Sequence, residues 1–247
     1  MSLRDRVALV TGGSRGIGRG IAVRLAQDGA RIAIAYRSNK TAAQQTLRQL
    51  QTDGADCVAV ETDINDPALA DQLVKTVVER FGRLDLVVNN VGDFRWGTLG
   101  ESAVEDWQRI VWSNLMTVFY VSRAALPHMR KGRWGRIINL GAVGAERAFG
   151  QAKISAYASA KAAVVALSRS LALEEAKNGI TVNVVNPSSI DENELTLSEA
   201  RRIRDARFPI GRPPTVEDVA ATVAFFASEE AEYVTGQVVN VSGGWML

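Results

Sequence analysis

Residues 7–18, VALVTGGSRGIG, form an apolar run that passes directly into a glycine-rich turn. The run Val7–Val10 is typical of a buried parallel strand, and an amphipathic segment of helical period begins at Gly16. Glycines at positions 12, 16 and 18 would let the backbone turn tightly and approach a pyrophosphate, which the N-terminus of the following helix attracts. The alternative is a tight turn without a ligand. The stretch therefore predicts the start of a strand–turn–helix unit that binds a dinucleotide phosphate.

The rest of the chain continues this alternation of short β-branched runs and longer segments of helical period. Strands are predicted at Val7–Val10, Arg31–Tyr36, Cys57–Glu61, Leu84–Asn89, Arg136–Leu140, Thr181–Val185 and Gln237–Val241. Helices are predicted at Gly16–Asp28, Thr41–Asp53, Pro67–Phe81, Ala103–His128, Ala156–Asn178 and Val216–Ala227. This pattern predicts an α/β protein. We expect a single doubly wound Rossmann-like domain over residues 1–247, with a mostly parallel seven-stranded sheet and helices on both faces.

Composition narrows the classes of function. The 247 residues carry 29 Lys and Arg against 27 Asp and Glu, a net charge of +2 that argues against a dedicated nucleic-acid binder. One cysteine, Cys57, cannot form an internal disulfide, and one histidine, His128, leaves no His/Cys cluster for a metal. No apolar run approaches the roughly 20 residues that span a bilayer, and the N-terminus lacks a signal-peptide pattern. We expect a cytoplasmic protein without a metal site or a membrane segment.

Further motifs follow the glycine-rich turn in a fixed order. They are Asp63-Ile64, Asn89-Asn90-Val91-Gly92, Asn114, Tyr157-Ala158-Ser159-Ala160-Lys161 and Asn186-Pro187. The turn itself has the spacing T-G-x-x-x-G-x-G, which differs from the G-x-G-x-x-G of the commoner dinucleotide fold. With these motifs the chain resembles the short-chain dehydrogenase/reductase family over essentially its whole length. Among the members, 3-oxoacyl-(acyl carrier protein) reductases and glucose dehydrogenases are most similar.

The resemblance implies hydride transfer between a nicotinamide and a carbonyl or alcohol carbon, with Tyr157, Lys161 and Asn114 as catalytic residues. Tyr157 and Lys161 are four residues apart, so a helix presents them on one face. A free phenol has a pKa near ~10, and we expect the Lys161 cation to favour its anion. The resemblance also implies that Lys161 bonds the nicotinamide ribose and that Asn114 holds a proton-relaying water. The alternative for Tyr157 is an aromatic side chain on a helix surface.

The end of the second strand indicates the cofactor. It has the sequence Ala35-Tyr36-Arg37-Ser38-Asn39, without the acid that binds the ribose of NAD. Arg37, with Arg15 nearby, could pair with a 2′-phosphate, which favours NADP(H) over NAD(H); the alternative is two solvated arginines. The expected cofactor-binding residues, largely from the resemblance, are Gly12, Ser14, Arg15, Ile17, Gly18, Arg37, Ser38, Asp63, Ile64, Asn90, Gly92, Tyr157, Lys161, Pro187 and Ile190.

The chain departs from the family at the substrate end. Ala142 stands where the family has a serine, Ser188 follows Pro187 in place of glycine, and Glu192 stands where a threonine is usual. Two hypotheses follow: an NADP(H)-dependent reductase with an atypical site, or a silent or weakly active NADP(H)-binding partner subunit or sensor. In the first, Ala142→Ser should raise turnover about tenfold or more, because a preorganised donor is restored. Replacement donors would be Ser188, Ser189, Ser155 or a substrate hydroxyl.

Partners are indicated by two further segments. The family places a mobile substrate lid around residues 188–213, and the cluster Arg201-Arg202-Ile203-Arg204 with Arg207 lies within it. This cluster could attract a carrier- or CoA-linked substrate, although a solvated helix face is the simpler explanation. The segment from Ala158 to Leu173 is apolar nearly all round, more than one buried face requires. Since this helix packs against a neighbouring subunit in similar proteins, we expect a homotetramer.

Overall fold

Seven parallel strands form one sheet in the part of the chain that the computed structural model describes, residues 2–190 and 195–246. They are β1 (Val7–Thr11), β2 (Arg31–Tyr36), β3 (Cys57–Glu61), β4 (Leu86–Asn89), β5 (Gly135–Leu140), β6 (Ile180–Pro187) and β7 (Val238–Val241). Their spatial order is β3-β2-β1-β4-β5-β6-β7, and all six neighbouring pairs are parallel. The predicted fold class is confirmed. β4 starts two residues later than predicted, because the Asp85 carboxylate accepts the Val7 N–H at 2.9 Å ahead of the ladder.

Helices cover both faces of this sheet. They are α1 (Gly16–Gln27), α2 (Lys40–Thr52), α3 (Pro67–Phe81), α4 (Val104–Val111), α5 (Thr117–Gly132), α6 (Ser155–Glu175), α7 (Leu197–Ala200) and α8 (Val216–Ala227). On one face, Leu25 of α1 and Phe226 of α8 join a buried cluster with Val10 of β1. On the other face, Val74 of α3 and Val121 of α5 form a second cluster. None of the helices within the described ranges is long and apolar enough to cross a membrane.

Local sequence signals explain where several helices begin and end. Pro67 starts α3, and the Asp66 side chain accepts the Ala68 N–H at 2.8 Å as its N-cap. Gly82 then ends the helix with a φ of 80°, a left-handed conformation that glycine adopts without strain. Thr215 caps α8 in a reciprocal pair with Asp218.

The helix predicted over 103–128 is wrong in two respects. The structure divides it into α4, a π-helical turn at Trp112–Met116, and α5. α5 also continues to Gly132 with Pro127 inside it, so His128 does not lie at a helix end as expected. A π turn holds one residue more than an α turn. The helix after it is therefore rotated about its axis relative to a regular continuation of the helix before it. Asn114 lies within this turn.

The strand order decides where a ligand can bind. β1 is paired with β2 on one side and with β4 on the other, so the chain reverses its direction of winding between β1 and β4. In open parallel sheets a crevice forms at such a point, beyond the carboxyl ends of the strands. The glycine-rich turn after β1 and the Asn90-Val91-Gly92 segment after β4 both lie there.

Candidate active site

The glycine-rich turn after β1 is held by one side chain from the loop after β4. Asn90 Nδ2 donates to the carbonyl oxygens of Thr11 at 3.0 Å and Gly12 at 3.3 Å, and its backbone N–H donates to Thr11 Oγ1 at 2.9 Å. Gly12 has a φ of 63°, which is a left-handed conformation. A Cβ at Gly18 would clash with the carbonyl oxygen of Gly12. The turn therefore needs glycine at both positions, one for conformation and one for close approach.

A cavity of about 520 Å³, here called the loop cavity, opens beside this turn. Ten of the predicted cofactor residues line it: Gly12, Ser14, Arg15, Ile17, Arg37, Ser38, Asp63, Ile64, Asn90 and Gly92. Gly18 does not line it, because Gly18 is buried against the Gly12 carbonyl and acts by permitting the turn. Ile190 lines neither this cavity nor the cavity around Tyr157 described below. It packs instead against the core cluster of Leu25 and Phe226.

Positive charge is concentrated at one end of the loop cavity. Arg15 and Arg37 are both exposed, and within residues 2–190 and 195–246 neither guanidinium has an ion-pair partner. Asp63, on the same cavity, accepts two hydrogen bonds from Asn65, at 3.1 Å from the backbone and 2.7 Å from the side chain. An anion could therefore pair with the arginines without displacing an existing carboxylate.

A second cavity, also of about 520 Å³ and here called the tyrosine cavity, contains Tyr157 and Lys161. Pro187, Ala142 and Ser188 also line it. Aromatic side chains form much of the remaining wall: Phe94, Trp96, Phe149 and Trp245. Ile17 lines both cavities, which therefore adjoin at the start of α1.

Burial dominates the electrostatics of Tyr157 and Lys161. It raises the pKa of Tyr157 to about 12 and lowers the pKa of Lys161 from 10.5 to about 8. The Lys161 ammonium donates to the Leu140 carbonyl at 2.7 Å, and its Nζ lies 5.5 Å from the centre of the Tyr157 ring. The expected lowering of the phenol pKa by Lys161 is therefore wrong for the protein without a ligand: desolvation of the phenol outweighs the nearby cation.

Asn114 lies in the π-helical turn and is fully buried. Its Nδ2 donates to the carbonyl oxygens of Asp93 at 2.8 Å and Ile110 at 2.9 Å. Its Oδ1 has no hydrogen-bond partner among the described residues, and a Cβ at Gly92 would collide with it. A buried carbonyl oxygen without a donor is costly, so this atom marks a position for a donor from outside the chain.

Comparisons with known proteins identify the family. Residues 12–246 match the family model described as Enoyl-(Acyl carrier protein) reductase. The chain is 41% identical over 251 residues to the 3-oxoacyl-[acyl-carrier-protein] reductase FabG of Escherichia coli (strain K12), covering all of both chains. The chain belongs to the short-chain dehydrogenase/reductase family. Its oxidoreductase class follows from that membership.

Solved structures of the short-chain dehydrogenase/reductase family share the whole fold. Acetoin dehydrogenase YohF from Salmonella typhimurium matches with a TM-score of 0.90 and 33% identity, over 98% of this chain and 96% of that chain. A short chain dehydrogenase from Burkholderia cenocepacia J2315, solved in complex with NADP, matches with a TM-score of 0.88 and 36% identity, over 99% of both chains. The doubly wound sheet described above is therefore the fold of these enzymes.

The structure adds residues to the tyrosine cavity that the family motifs do not predict. Phe94 packs edge-on against Tyr157, with ring centres 5.0 Å apart, and Trp96 packs edge-on against Phe94 at 5.2 Å. Met246 also lines the cavity, and its carbonyl accepts a hydrogen bond from Arg147 at 2.8 Å. Phe94 and Trp96, two and four residues after Gly92, were the available signal in the sequence. Glu192, the predicted departure near the nicotinamide, lies outside the described residues.

Proposed function

We propose that this short-chain dehydrogenase/reductase uses NADP(H) to transfer hydride between the nicotinamide and a carbonyl or alcohol carbon. The observation that carries the proposal is that Tyr157 and Lys161 line a cavity that adjoins the loop cavity at Ile17. A continuous cleft of this kind suits a dinucleotide whose phosphates lie at the glycine-rich turn and whose reactive ring reaches the phenol. The neighbour solved with NADP supports the choice of cofactor.

The residues present fit the phosphate-bearing half of NADP(H). The absence of Cβ atoms at Gly12 and Gly18 keeps the turn compact, and the N-terminus of α1 opens onto the cavity. Arg37 would hold the 2′-phosphate with its planar guanidinium, and Arg15 could add a second contact. Ser38 and Asp63 would border the adenosine, and Asn90 and Gly92 would border the section leading towards Tyr157.

When bound, NADPH supplies a hydride to the carbonyl carbon of the substrate. Tyr157 donates its phenolic proton to the carbonyl oxygen, so the product is an alcohol. Burial raises the pKa of Tyr157 to about 12, so at neutral pH the phenol carries the proton that this step requires. The hydrogen bond to the Leu140 carbonyl positions Lys161. If the ammonium exchanged this partner, its charge could stabilise the phenolate form of Tyr157. Asn114 Oδ1 would accept from a water on the proton route.

The substrate is a small carbonyl compound or the corresponding alcohol, and the name of the Escherichia coli relative supports a carrier-linked one. Exposed arginines at 201, 202 and 204 would meet an anionic carrier or CoA-like group. Part of the proposed lid around 188–213 falls on residues 191–194, outside the described ranges; the rest includes α7 and Arg207, which lines the tyrosine cavity.

We propose that the protein is a cytoplasmic homotetramer, and exposed apolar side chains support its assembly from several copies. Leu173 of α6 is 84% exposed, Trp112 of the π-helical turn is 48% exposed, and Phe119 of α5 is 42% exposed. Large apolar side chains exposed on neighbouring helices mark a protein interface more often than free surface. We propose that α5 and α6 pack against partner copies in the assembly.

One observation favours a second function, that of a silent or weakly active NADP(H)-binding partner subunit or sensor. Ala142 lines the tyrosine cavity at the position where the family carries a hydroxyl. A methyl group cannot donate to the developing negative charge on the substrate oxygen, and removing one such donor typically slows a reaction ~10²- to 10³-fold.

Carbonyl reduction by the purified protein tests the two functions. Loss of NADPH absorbance would be followed with a panel of β-keto esters, diketones and aryl ketones, with NADH as the comparison cofactor. We expect turnover with NADPH and weaker turnover with NADH. Tight NADPH binding without oxidation by any carbonyl would instead establish the silent function, and absence of NADPH binding would overturn both.

A further inference from the structure

One buried hydroxyl of the tyrosine cavity has no hydrogen-bond partner among the residues that the structure describes. Ser188 is 5% exposed, and its Oγ makes no hydrogen bond to any described residue. The other buried side-chain atoms without partners, on Asn89, Trp107, Asn114, Thr181 and Asn186, belong to residues that do not line this cavity. A buried hydroxyl without a partner is unfavourable, and in a cavity it is normally satisfied by a ligand or water.

The backbone holds Ser188 firmly in place. The residue follows β6, and its N–H donates to the Val241 carbonyl at 3.2 Å. Pro187, immediately before it, is paired with Val241 in the β6–β7 register. Because Oγ itself is buried, a rotation about χ1 must turn the hydroxyl into the cavity, and the fixed backbone leaves only that one motion for a substrate to select.

The other serines that could replace the missing family hydroxyl are less suited. Ser155 lines a separate cavity of about 20 Å³ with Trp107 and does not reach the tyrosine cavity. Ser189 lines the tyrosine cavity but is exposed, so water competes for its hydroxyl. Ser188 alone combines burial, a free hydroxyl and a shared cavity with Tyr157 among the serines of residues 2–190 and 195–246.

We propose that Ser188 is a catalytic residue whose hydroxyl donates a hydrogen bond to the substrate carbonyl oxygen, in place of the hydroxyl absent at Ala142. The inference rests on the proposed reductase function. In the reaction the carbonyl carbon gains a hydride and its oxygen gains the Tyr157 proton, while Ser188 keeps its own proton. Its bond strengthens as negative charge develops on the oxygen, and this difference accelerates the reaction.

Four variants test the assignment: Ser188→Ala, Ala142→Ser, the double variant, and Ser159→Ala as a control on the exposed side of α6. Each would be measured for kcat and KM with the best ketone and for NADPH affinity by fluorescence titration. We expect Ser188→Ala to lower kcat at least tenfold, within the range for loss of one preorganised donor, and to leave NADPH affinity unchanged. The control should keep wild-type kinetics.

The double variant provides the sharpest result. Ala142→Ser restores a donor on the wall of the same cavity, so it should recover most of the kcat lost in Ser188→Ala. In the wild-type background it should have little effect, because the oxygen already has its donor. This differs from the tenfold gain expected when no hydroxyl replaces the family serine.

The outcomes distinguish this inference from the proposed function. A protein that reduces ketones equally well with and without the Ser188 hydroxyl overturns the inference and leaves the function intact. A Ser188→Ala variant that loses NADPH affinity but keeps kcat assigns the hydroxyl to the cofactor and also overturns it. A wild-type protein that binds NADPH and reduces no carbonyl removes both.

Discussion

The loop cavity and the tyrosine cavity have the same volume, about 520 Å³, but different structural groups line them. The loop cavity is bordered by backbone turns at the ends of β1, β2, β3 and β4, and one side chain, Asn90, holds its central turn. The tyrosine cavity is walled by side chains from segments far apart in sequence, from Phe94 to Met246. The first half of the chain thus supplies one cavity and the second half most of the other.

The difference teaches why substitutions should act differently on the two cavities. Backbone N–H groups are the same for every residue type, so a phosphate site built from them constrains the sequence only where glycine is sterically required. A cavity walled by side chains changes shape with every substitution. Substitutions at wall residues such as Ala142 and Ser188 can therefore alter the reaction without changing the glycine-rich turn.

The largest effect should come from Tyr157→Phe, which acts on the tyrosine cavity alone. Loss of the proton donor should lower carbonyl reduction by roughly 10²- to 10⁴-fold, while NADPH affinity stays close to wild type. Steady-state kinetics and fluorescence titration measure the two quantities. Tyr233→Phe, at a tyrosine that is 99% exposed, is the control. Equal losses of turnover and NADPH affinity would show that the two cavities are not separable.

Lys161→Met should reveal the cost of burying an ammonium between the two cavities. Below pH 8 the folded and unfolded chains both carry the proton, and the cost of burial is complete. Between pH 8 and 10.5 the folded chain releases its proton first, so the wild type gains stability relative to the variant as pH rises. Between pH 7 and 9.5 the difference in unfolding free energy should shift by about 2 kcal/mol towards the wild type.

Urea unfolding of both proteins without cofactor, across that pH range, measures this shift. The bond from Lys161 to the Leu140 carbonyl is lost in the variant, which adds a constant offset between the two proteins, and the weakening of that bond on deprotonation is already contained in the folded-state pKa of Lys161. Lys131→Met, at an exposed lysine of α5, is the control. A stability difference that stays flat with pH would mean that Lys161 is not desolvated in solution.

Arg37→Ala should affect the loop cavity and spare the tyrosine cavity. Loss of one charge-assisted contact to the 2′-phosphate should weaken NADPH binding about tenfold or more and leave NADH binding unchanged. Turnover at saturating NADPH should stay near wild type. Arg48→Ala, at an exposed arginine of α2, is the control, and isothermal titration measures both cofactors. Equal affinities for NADPH and NADH in the wild type would contradict the NADP(H) assignment.

The smallest effect should follow from Phe119→Glu on the exposed face of α5, since neither cavity contains this residue. A carboxylate placed in an apolar contact is costly to bury, so the assembly should fall from a mass near four chains towards one or two. Light scattering gives the mass, and Gln44→Glu on exposed α2 is the control. A wild type that is already monomeric would show that the exposed aromatic residues serve another purpose.

Much of the fold could be predicted from the sequence because its signals are local. The apolar run at 31–36 and the helix start at Pro67 depend on nearby residues only, and the structure confirms both bounds. The break in the helix predicted over 103–128 was not visible, since Trp112–Met116 contains neither glycine nor proline. Its cause lies in packing, because the turn buries Ser113 and Asn114 between elements that are distant in sequence.

The candidate site shows the same contrast between features that local sequence determines and features that depend on distant packing. Ten predicted cofactor residues border the loop cavity because motif spacing fixes their position relative to strand ends. The lowering of the Tyr157 pKa expected from Lys161 does not appear in the chain without a ligand, because desolvation depends on the whole surroundings of the ring, including Phe94. Ser188 was one of several possible donors in the sequence, and only burial separates it from Ser189.

The π-helical turn at Trp112–Met116 also limits how the gene can vary in length. A π turn holds one residue more than an α turn, and each helical residue rotates the chain by about 100°. Losing a single codon here would leave a regular helix. If α5 kept its present orientation in such a helix, Ile110 would be rotated away from its buried position. Surface loops tolerate in-frame deletions, but selection should eliminate them at this turn, because the position of Asn114 depends on the extra residue.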